Sequence, residues 1–403
     1  MRTYERTHPW ISFTLDTRRL GPSFWLLLGE AQSKCEHVAG VPLRPETAER
    51  LHQLYLAKGV RGTTAIEGNT LSEEQVVKRL QGELELPPSK EYLGKEIDNI
   101  ITACRSIVDD IVADRPLTIT PERIKAFNGV VLAGLEVAPE VHPGQVRRHN
   151  VGVFRYRGAP PKDCEYLLDR LCTWLAELSC QPIGVTGIAE AILKAVLAHL
   201  YLAWIHPFGD GNGRTARLVE FQVLVRAGVS TPAAHLLSNH YNETRSEYYR
   251  QLDHASQSGG EVARFLEYAI RGLVDGLRTQ IEVIQQQQFD VVWRNYVHEQ
   301  FGSDRTEADQ RQCALVLDLS RAHQADWVAV SDLPKVSPRV AAMYAGRTRR
   351  TLARDLNRLV AMDIVEHRAA RCRAKTEKTR AFLPVRRQAQ GGTPPPRDAG
   401  RRG

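Results

Sequence analysis

Apolar residues recur along this chain mostly at helical spacing. Leu51, Leu54 and Leu56 mark a helix over Thr47–Lys58. Leu167, Leu168, Leu171, Trp174 and Leu175 line one side of an amphipathic helix from Cys164 to Leu178. Phe265, Leu273, Leu277, Ile281 and Ile284 do the same within Glu261–Gln300, which reads as one or two long helices. Phe24–Leu28 follows Pro22-Ser23, so a helix is expected there with Ser23 as its N-cap, after a short strand-like start at Pro9. Leu71–Asp114 is mostly helical, broken at Pro87-Pro88-Ser89, with a capping box at Ser72–Gln75. Thr120-Pro121 opens another helix, Thr as N-cap and Pro at N1. Ile188–Ile205 is apolar nearly all round, the pattern of a helix buried in a core. Around Val151–Tyr156, ahead of Gly158, the period shortens to that of strands, which predicts a hairpin. The expected fold class is mainly α.

The apolar helix runs into His206-Pro207-Phe208-Gly209-Asp210-Gly211-Asn212-Gly213-Arg214-Thr215-Ala216-Arg217, and a second helix is expected from about Gly213 to Ala227. A tight loop that feeds a helix N-terminus presents free N–H groups and the positive end of the dipole, a ready anion site. Gly211 and Gly213 can take positive φ and close around a phosphate, and Asn212 can donate its amide. Asp210 suits a Mg²⁺ ion that arrives with phosphates. Arg214 and Arg217 offer forked donors, and His206 titrates near neutrality and can take a proton. A dinucleotide fingerprint would need a strand before these glycines, where a helix stands. An EF-hand from Asp210 would need Gly where Thr215 stands and Glu where Phe221 stands.

The segment His206–Arg217 resembles the Fic-family motif His-x-Phe-x-Asp/Glu-Gly-Asn-Gly-Arg-x-x-Arg at all its fixed positions. The resemblance implies a Fic-type helical bundle with a β-hairpin flap, and transfer of AMP from ATP to a protein hydroxyl. It makes His206 the general base and Asp210 the Mg²⁺ ligand. Gly211, Asn212 and Gly213 would cradle the α- and β-phosphates, Arg214 would contact the β-phosphate and Arg217 the γ-phosphate. Upstream, Thr63-x-x-x-Glu67-Gly68 is similar to the family's inhibitory-helix signature. Thr63 and Glu67 stand four apart, on one face if helical. Glu67 would then pair with Arg217 and occupy the place of the γ-phosphate. The hairpin at about 145–160 would be the flap on which a protein target docks by strand addition. Tyr241 and Asn242 are the expected adenine contacts, with Tyr248 and Tyr249 read as core aromatics.

Beyond Asp304 the pattern reads helix, helix, helix, hairpin. Val340–Tyr344 and Thr348–Met362 form a helix-turn-helix with Gly346 in the turn, and Ile364–His367 and Ala381–Val385 are wing strands, so a small winged-helix α+β domain is expected. Arg347, Arg349, Arg350, Arg354, Arg358, Arg371, Arg373, Lys375, Lys378 and Arg380 make 340–385 a candidate DNA contact. The expected division is an N-terminal helical region with the inhibitory helix (1–114), a catalytic core (115–260), connecting helices (261–303), the winged-helix-like domain (304–387) and a disordered Pro/Gly/Arg-rich tail (388–403).

Composition adds little to this picture. A net charge of +7 over 403 residues is mildly basic and selects no partner. The seven cysteines lack C-x-x-C spacing, so free thiols in a reducing cytoplasm are expected and a zinc site is not. Lys194 and His199 interrupt the longest apolar helix, so no membrane span is expected. The expected function is an autoinhibited protein adenylyltransferase using ATP and Mg²⁺. The alternatives are a de-AMPylase using the same site and a DNA-binding regulator with a Fic core, and self-association into a homo-oligomer stays open.

Overall fold

A computed structural model describes residues 2–153, 156–180, 184–322 and 327–380. It is mainly helical and divides into two compact units, Met1–Val283 and Ile284–Gly403. The first unit opens with α1 (Thr3–Thr7), α2 (Pro22–Gly40), α3 (Pro45–Ala65), α4 (Glu73–Gln81), α5 (Glu91–Val112) and α6 (Pro121–Val131). A hairpin of β1 (Gly152–Val153) and β2 (Tyr156–Arg157) precedes α7 (Pro161–Glu177), α8 (Gly187–Ile205) and α9 (Asn212–Arg226). Short helices α10 (Thr231–Ala234), α11 (Leu236–Glu243) and α12 (Arg245–Gln257) lead to α13 (Ala263–Phe301), within which the division falls.

Helix α8 is the centre of the first unit. Ile192, Leu193, Val196, Leu197, Leu200, Trp204 and Ile205 are all buried. The helix is long and apolar enough to cross a membrane by composition, but most of it is buried inside the core, which is what its all-round apolar pattern requires. It packs chiefly on α9, and α5 and α6 flank α9. Helix α3 lies against α11, and the approach is close at Gly59 and Gly62. A Cβ on Gly62 would stand 2.9 Å from the Ser238 carbonyl, and one on Gly59 would collide with the His235 ring.

Several local expectations hold and several do not. The Ser72–Gln75 capping box forms, and Thr120 caps α6 through Arg123 N–H with Pro121 at N1. The strand-like start at Pro9 is not a strand. Helix α2 begins two residues earlier than expected, with Gly21 as N-cap and Pro22 at N1, because proline is already set to helical φ and has no N–H to satisfy there. Helix α3 continues well past Lys58 to Ala65, so Glu67 sits in the turn after the helix, not on a face shared with Thr63. Residues 154–155 at the hairpin tip lie outside the described residues.

The second unit contains α14 (Glu307–Ala322), β3 (Val328–Ala329), α15 (Pro338–Tyr344), α16 (Arg349–Ala361), β4 (Val365–Arg368) and β5 (Arg371–Ala374). The sheet order is β3-β5-β4, all antiparallel. Asp355 is the polar heart of this unit: Arg311, Gln312 and Tyr344 all donate to its carboxylate. The first wing strand lies one residue from its expected place. Its partner is Arg371–Ala374, reached through a tight turn with Ala369 at φ 52°, and 381–385, together with the 388–403 tail, lies outside the described residues. The pairing was hidden because only Cys372 and Ala374 of that strand are buried. Of the basic residues expected to face a phosphate backbone, Arg347, Arg358, Arg373, Lys375 and Lys378 are already in ion pairs. Arg349, Arg350, Arg354 and Arg371 are exposed.

Candidate active site

The loop between α8 and α9 is built by its own side chains. Helix α8 ends at His206, which adopts the left-handed conformation at φ 51° and donates its N–H to the Leu202 carbonyl at 2.9 Å. Asn212 holds the turn itself: its amide oxygen accepts from Phe208 N–H at 2.9 Å and its amide nitrogen donates to the Phe208 carbonyl at 2.8 Å, which uses one of its two N–H donors. Gly211 takes φ 74° as expected, but Gly213 lies within the helix and needs to be glycine for space: a Cβ there would collide with the Glu67 carboxylate. No side chain caps α9, so the backbone N–H groups of its first turn remain as donors.

Around this loop the expected residues assemble. His206, Gly213, Arg217, Glu67, Val153 and Tyr156 line one cavity of about 430 Å³. Nδ1 of His206 lies 3.3 Å from the Ala203 carbonyl. A carbonyl only accepts, so Nδ1 carries the proton and Nε2 is left with its lone pair. Burial holds the imidazole down at about 4; the Ala203 carbonyl opposes this and the Arg147 guanidinium reinforces it. His206 is therefore neutral at pH 7 and already able to accept a proton.

Glu67 Oε1 accepts from Arg217 Nη2 at 2.6 Å. The same Nη2 donates to the Thr63 carbonyl at 2.9 Å, so Thr63 acts through its backbone. Burial pushes the Glu67 carboxyl up, but the charge and hydrogen bond of Arg217 outweigh it and leave the group below its ordinary value. Arg217 is 2% exposed, and its Nε and Nη1 have no partner among the described residues. Arg214 is also held: its Nη1 donates to Glu96 at 3.0 Å and its Nη2 lies 3.4 Å from Asp210. Glu96 in turn accepts from Asn69, two residues beyond Glu67, at 2.8 Å. Asp210 is half exposed, with Oδ1 accepting from Gly211 N–H at 2.5 Å. The Asn128 amide fixes this turn by donating to the Asp210 carbonyl and accepting from Gly144 N–H.

Two expected contacts lie elsewhere. Tyr241 is wholly buried; its hydroxyl donates to Glu220 at 2.9 Å and its ring stacks on Tyr248. Asn242 is not among the cavity residues. Tyr248 and Tyr249 line the cavity instead, with Leu252 and Ile66. Tyr248 is both a core residue and a wall, since its hydroxyl bonds the buried His199 at 2.9 Å.

Arg147 is a candidate positioning residue that the pattern of the chain did not single out. It is 4% exposed and meets no carboxylate among the described residues. Its Nε donates to the His206 carbonyl at 2.7 Å, Nη1 to the His149 carbonyl at 2.7 Å and Nη2 to the Ala159 carbonyl at 2.5 Å. Its own N–H donates to the Pro207 carbonyl at 3.0 Å. One guanidinium thus ties the base of the hairpin to the loop that carries His206. Arg147→Met leaves these buried carbonyls unpartnered and is expected to lower turnover about tenfold, with KM for a protein substrate rising as the hairpin loosens. Arg147→Lys should recover only part, because one ammonium cannot span the three acceptors. Unchanged steady-state constants in the methionine variant would contradict this positioning role.

The buried imidazoles also set a pH dependence. Burial lowers His206 to about 4 and His235 to about 3. Both are neutral in the fold, while the unfolded chain takes up their protons near 6.5. The unfolded state therefore binds more protons below pH 6.5, and stability present above that value is lost as pH falls toward 4. A fall in Tm on the order of 5 °C is expected between pH 7 and pH 5, reduced in His235→Gln. An unchanged Tm over that range would contradict the burial of neutral imidazoles.

Residues 118–224 match the Fic/DOC family. A protein adenylyltransferase fic-1 of Caenorhabditis briggsae is 30% identical over 240 residues, covering 57% of this chain and 43% of that protein. A protein adenylyltransferase Fic of Nematostella vectensis is 26% identical over 245 residues, covering 61% and 53%. The chain thus spans about half the length of these relatives. A Fic family protein from Desulfovibrio desulfuricans G20 shares the fold at TM-score 0.54 and 20% identity, over 90% of this chain and 98% of that one. Fic-1 of C. elegans does so at TM-score 0.52 and 23% identity, over 64% and 72%. The matched segment contains the His206–Arg217 loop, all of α8 and α9 as far as Leu224, so this chain carries a Fic domain.

Proposed function

We propose that this protein is an adenylyltransferase that moves AMP from ATP to a Ser, Thr or Tyr hydroxyl of a protein target, restrained by its own Glu67. One observation carries the reading: a neutral imidazole, an uncapped helix N-terminus and a buried arginine converge on a single cavity. The adenylyltransferase names of the relatives support it.

In this reading the phosphates lie on the first N–H groups of α9, with Arg217 on the γ-phosphate, and the adenine rests against Tyr248, Tyr249, Leu252 and Ile66. A strand of the target adds to the hairpin at about 145–160 and brings its hydroxyl to His206. Nε2 takes the hydroxyl proton as the oxygen bonds to the α-phosphorus. The bond from that phosphorus to the bridging oxygen breaks, and pyrophosphate leaves with the electron pair. Among the described residues no group of three or more metal-ligating side chains exists. Asp210, half exposed at the mouth of the turn, fits a Mg²⁺ ion delivered with the nucleotide rather than a resident one. Bound there, that ion would neutralise phosphate charge.

Glu67 restrains the reaction by occupying Arg217 where the γ-phosphate belongs, and its charge repels a triphosphate. A second reading, removal of AMP by water, is favoured by one fact. Glu67 and His206 line the same cavity and each lies close enough to shift the titration of the other, so the carboxylate can orient a water beside the base.

Two labelled nucleotides test the proposal. Protein should retain label from the α-phosphate of ATP and none from the γ-phosphate. Label retained from the γ-position would replace the proposal with phosphorylation. Pre-modified target that loses AMP without ATP present would select the second reading.

A further inference from the structure

The second unit holds a concavity of about 360 Å³ lined by four arginines. Arg294 comes from α13, Arg305 from the turn after it, Arg321 from α14 and Arg339 from α15. A solvated helix face carries its charges on one element; here arginines from separate elements line one space. His298 and Cys313 stand among them. Arg305, Arg294 and Arg339 all lie close enough to add to the burial that holds His298 below its ordinary value.

The opposing charge is small. Asp318 accepts from Arg339 at 2.8 Å and lies 4.0 Å from Arg321, and it does not line the concavity. Arg305 is held by neutral groups, the Gly302 and His298 carbonyls and the His298 ring. No carboxylate among the described residues lies within 4 Å of Arg294. Each guanidinium carries five N–H donors. Arg339 uses Nε and Nη2 on Asp318 and the Ala314 carbonyl, which leaves Nη1 to give. Arg294 and the Nη1 of Arg339 therefore keep donors with no carboxylate partner among the described residues beside this space.

We propose that this concavity is a binding site for a small phosphate-bearing anion about the size of pyrophosphate. Paired forks match phosphate oxygens bidentately, and several arginines exceed what one carboxylate would need. The volume is at the low end for small-molecule sites, which favours a compact anion over an acidic peptide. The site is made entirely of second-unit residues, so it does not depend on the catalytic reading.

The test is calorimetric titration of inorganic pyrophosphate into the full chain at fixed 0.15 M ionic strength. Arg217→Gln separates the catalytic loop from this site. Binding should survive in Arg217→Gln and weaken at least tenfold in the double variant Arg294→Gln/Arg321→Gln. Arg321 gives up only a 4.0 Å approach to Asp318, which keeps Arg339, and circular dichroism checks that the fold is kept. Arg294→Lys/Arg321→Lys should retain intermediate affinity. Wild-type affinity in the double glutamine variant, or loss of binding in Arg217→Gln alone, overturns the proposal. Titrating ATP into Arg217→Gln then identifies the source: tighter binding than pyrophosphate points to a nucleotide, weaker binding to a free phosphate, and either result requires the site.

Discussion

In a Glu67→Gly background, replacing His206 by alanine is expected to cut AMP incorporation by about three orders of magnitude, within the range for loss of a general base. The reason is local. The Ala203 carbonyl holds the Nδ1 proton and burial keeps the ring neutral, so Nε2 is an acceptor at every pH above about 5. Asp210 does not stand in its place, since it is tied to Gly211 N–H and Arg214. Because His206 sits at φ 51°, alanine there also carries backbone strain of order 1 kcal/mol. His206→Asn tolerates that conformation and separates the effects: it should fold like the parent and be as inactive as alanine. Substantial activity in the asparagine variant would remove His206 from the chemistry.

Glu67→Gly alone is expected to raise incorporation at least tenfold, and on the order of a hundredfold if alignment of the α-phosphate is what the carboxylate spoils. The substitution also removes the carboxylate partner of Arg217, a cation 2% exposed. Stripping one partner from a buried pair costs about 3 kcal/mol, so the nucleotide-free variant should unfold at lower temperature. ATP supplies a replacement anion, so nucleotide should stabilise the variant more than it stabilises the wild type. The restraint extends to the other motif arginine. Glu96 holds Arg214 and also accepts from Asn69, so the turn that carries Glu67 is linked to both arginines. An activity no higher than wild type, or equal stabilisation by ATP in both proteins, would contradict the inhibitory role.

Much of this site could be read along the chain because its parts are consecutive. The loop from His206 to Arg217 holds the base, the glycines and both arginines in twelve positions, and the helices on either side announce themselves by periodicity. What could not be read were partners distant in sequence. Glu96 meets Arg214 across 118 positions and Arg147 meets His206 across 59. Neither stands in a pattern that distinguishes it from a surface charge. Asn212 has a structural task that its place beside glycines does not announce: both ends of its amide hold Phe208.

Tertiary packing decided other cases. The Gly-Val-Arg-Gly-Thr-Thr run at 59–64 reads as the end of a helix, yet α3 continues through it because its glycines let α11 approach. Tyr241 and Tyr248 both lie in one aromatic cluster, and only the placement of Glu220 decides that Tyr241 turns inward. In the second unit the Cys372 strand alternates over only four positions with small residues inward, too short to be seen without its partners β3 and β4.

The central claim is that the α9 N-terminus receives the phosphates and His206 faces the one that is attacked. The most direct measurement is a crystal structure of the Glu67→Gly protein with an ATP analogue whose α,β-bridging oxygen is replaced by a methylene group. The account predicts phosphate density on the N–H groups of residues 212–214, Arg217 on the γ-phosphate, and His206 Nε2 aimed at the side of the α-phosphorus opposite the methylene bridge. A nucleotide bound with its γ-phosphate toward His206, or bound away from this loop, would contradict it.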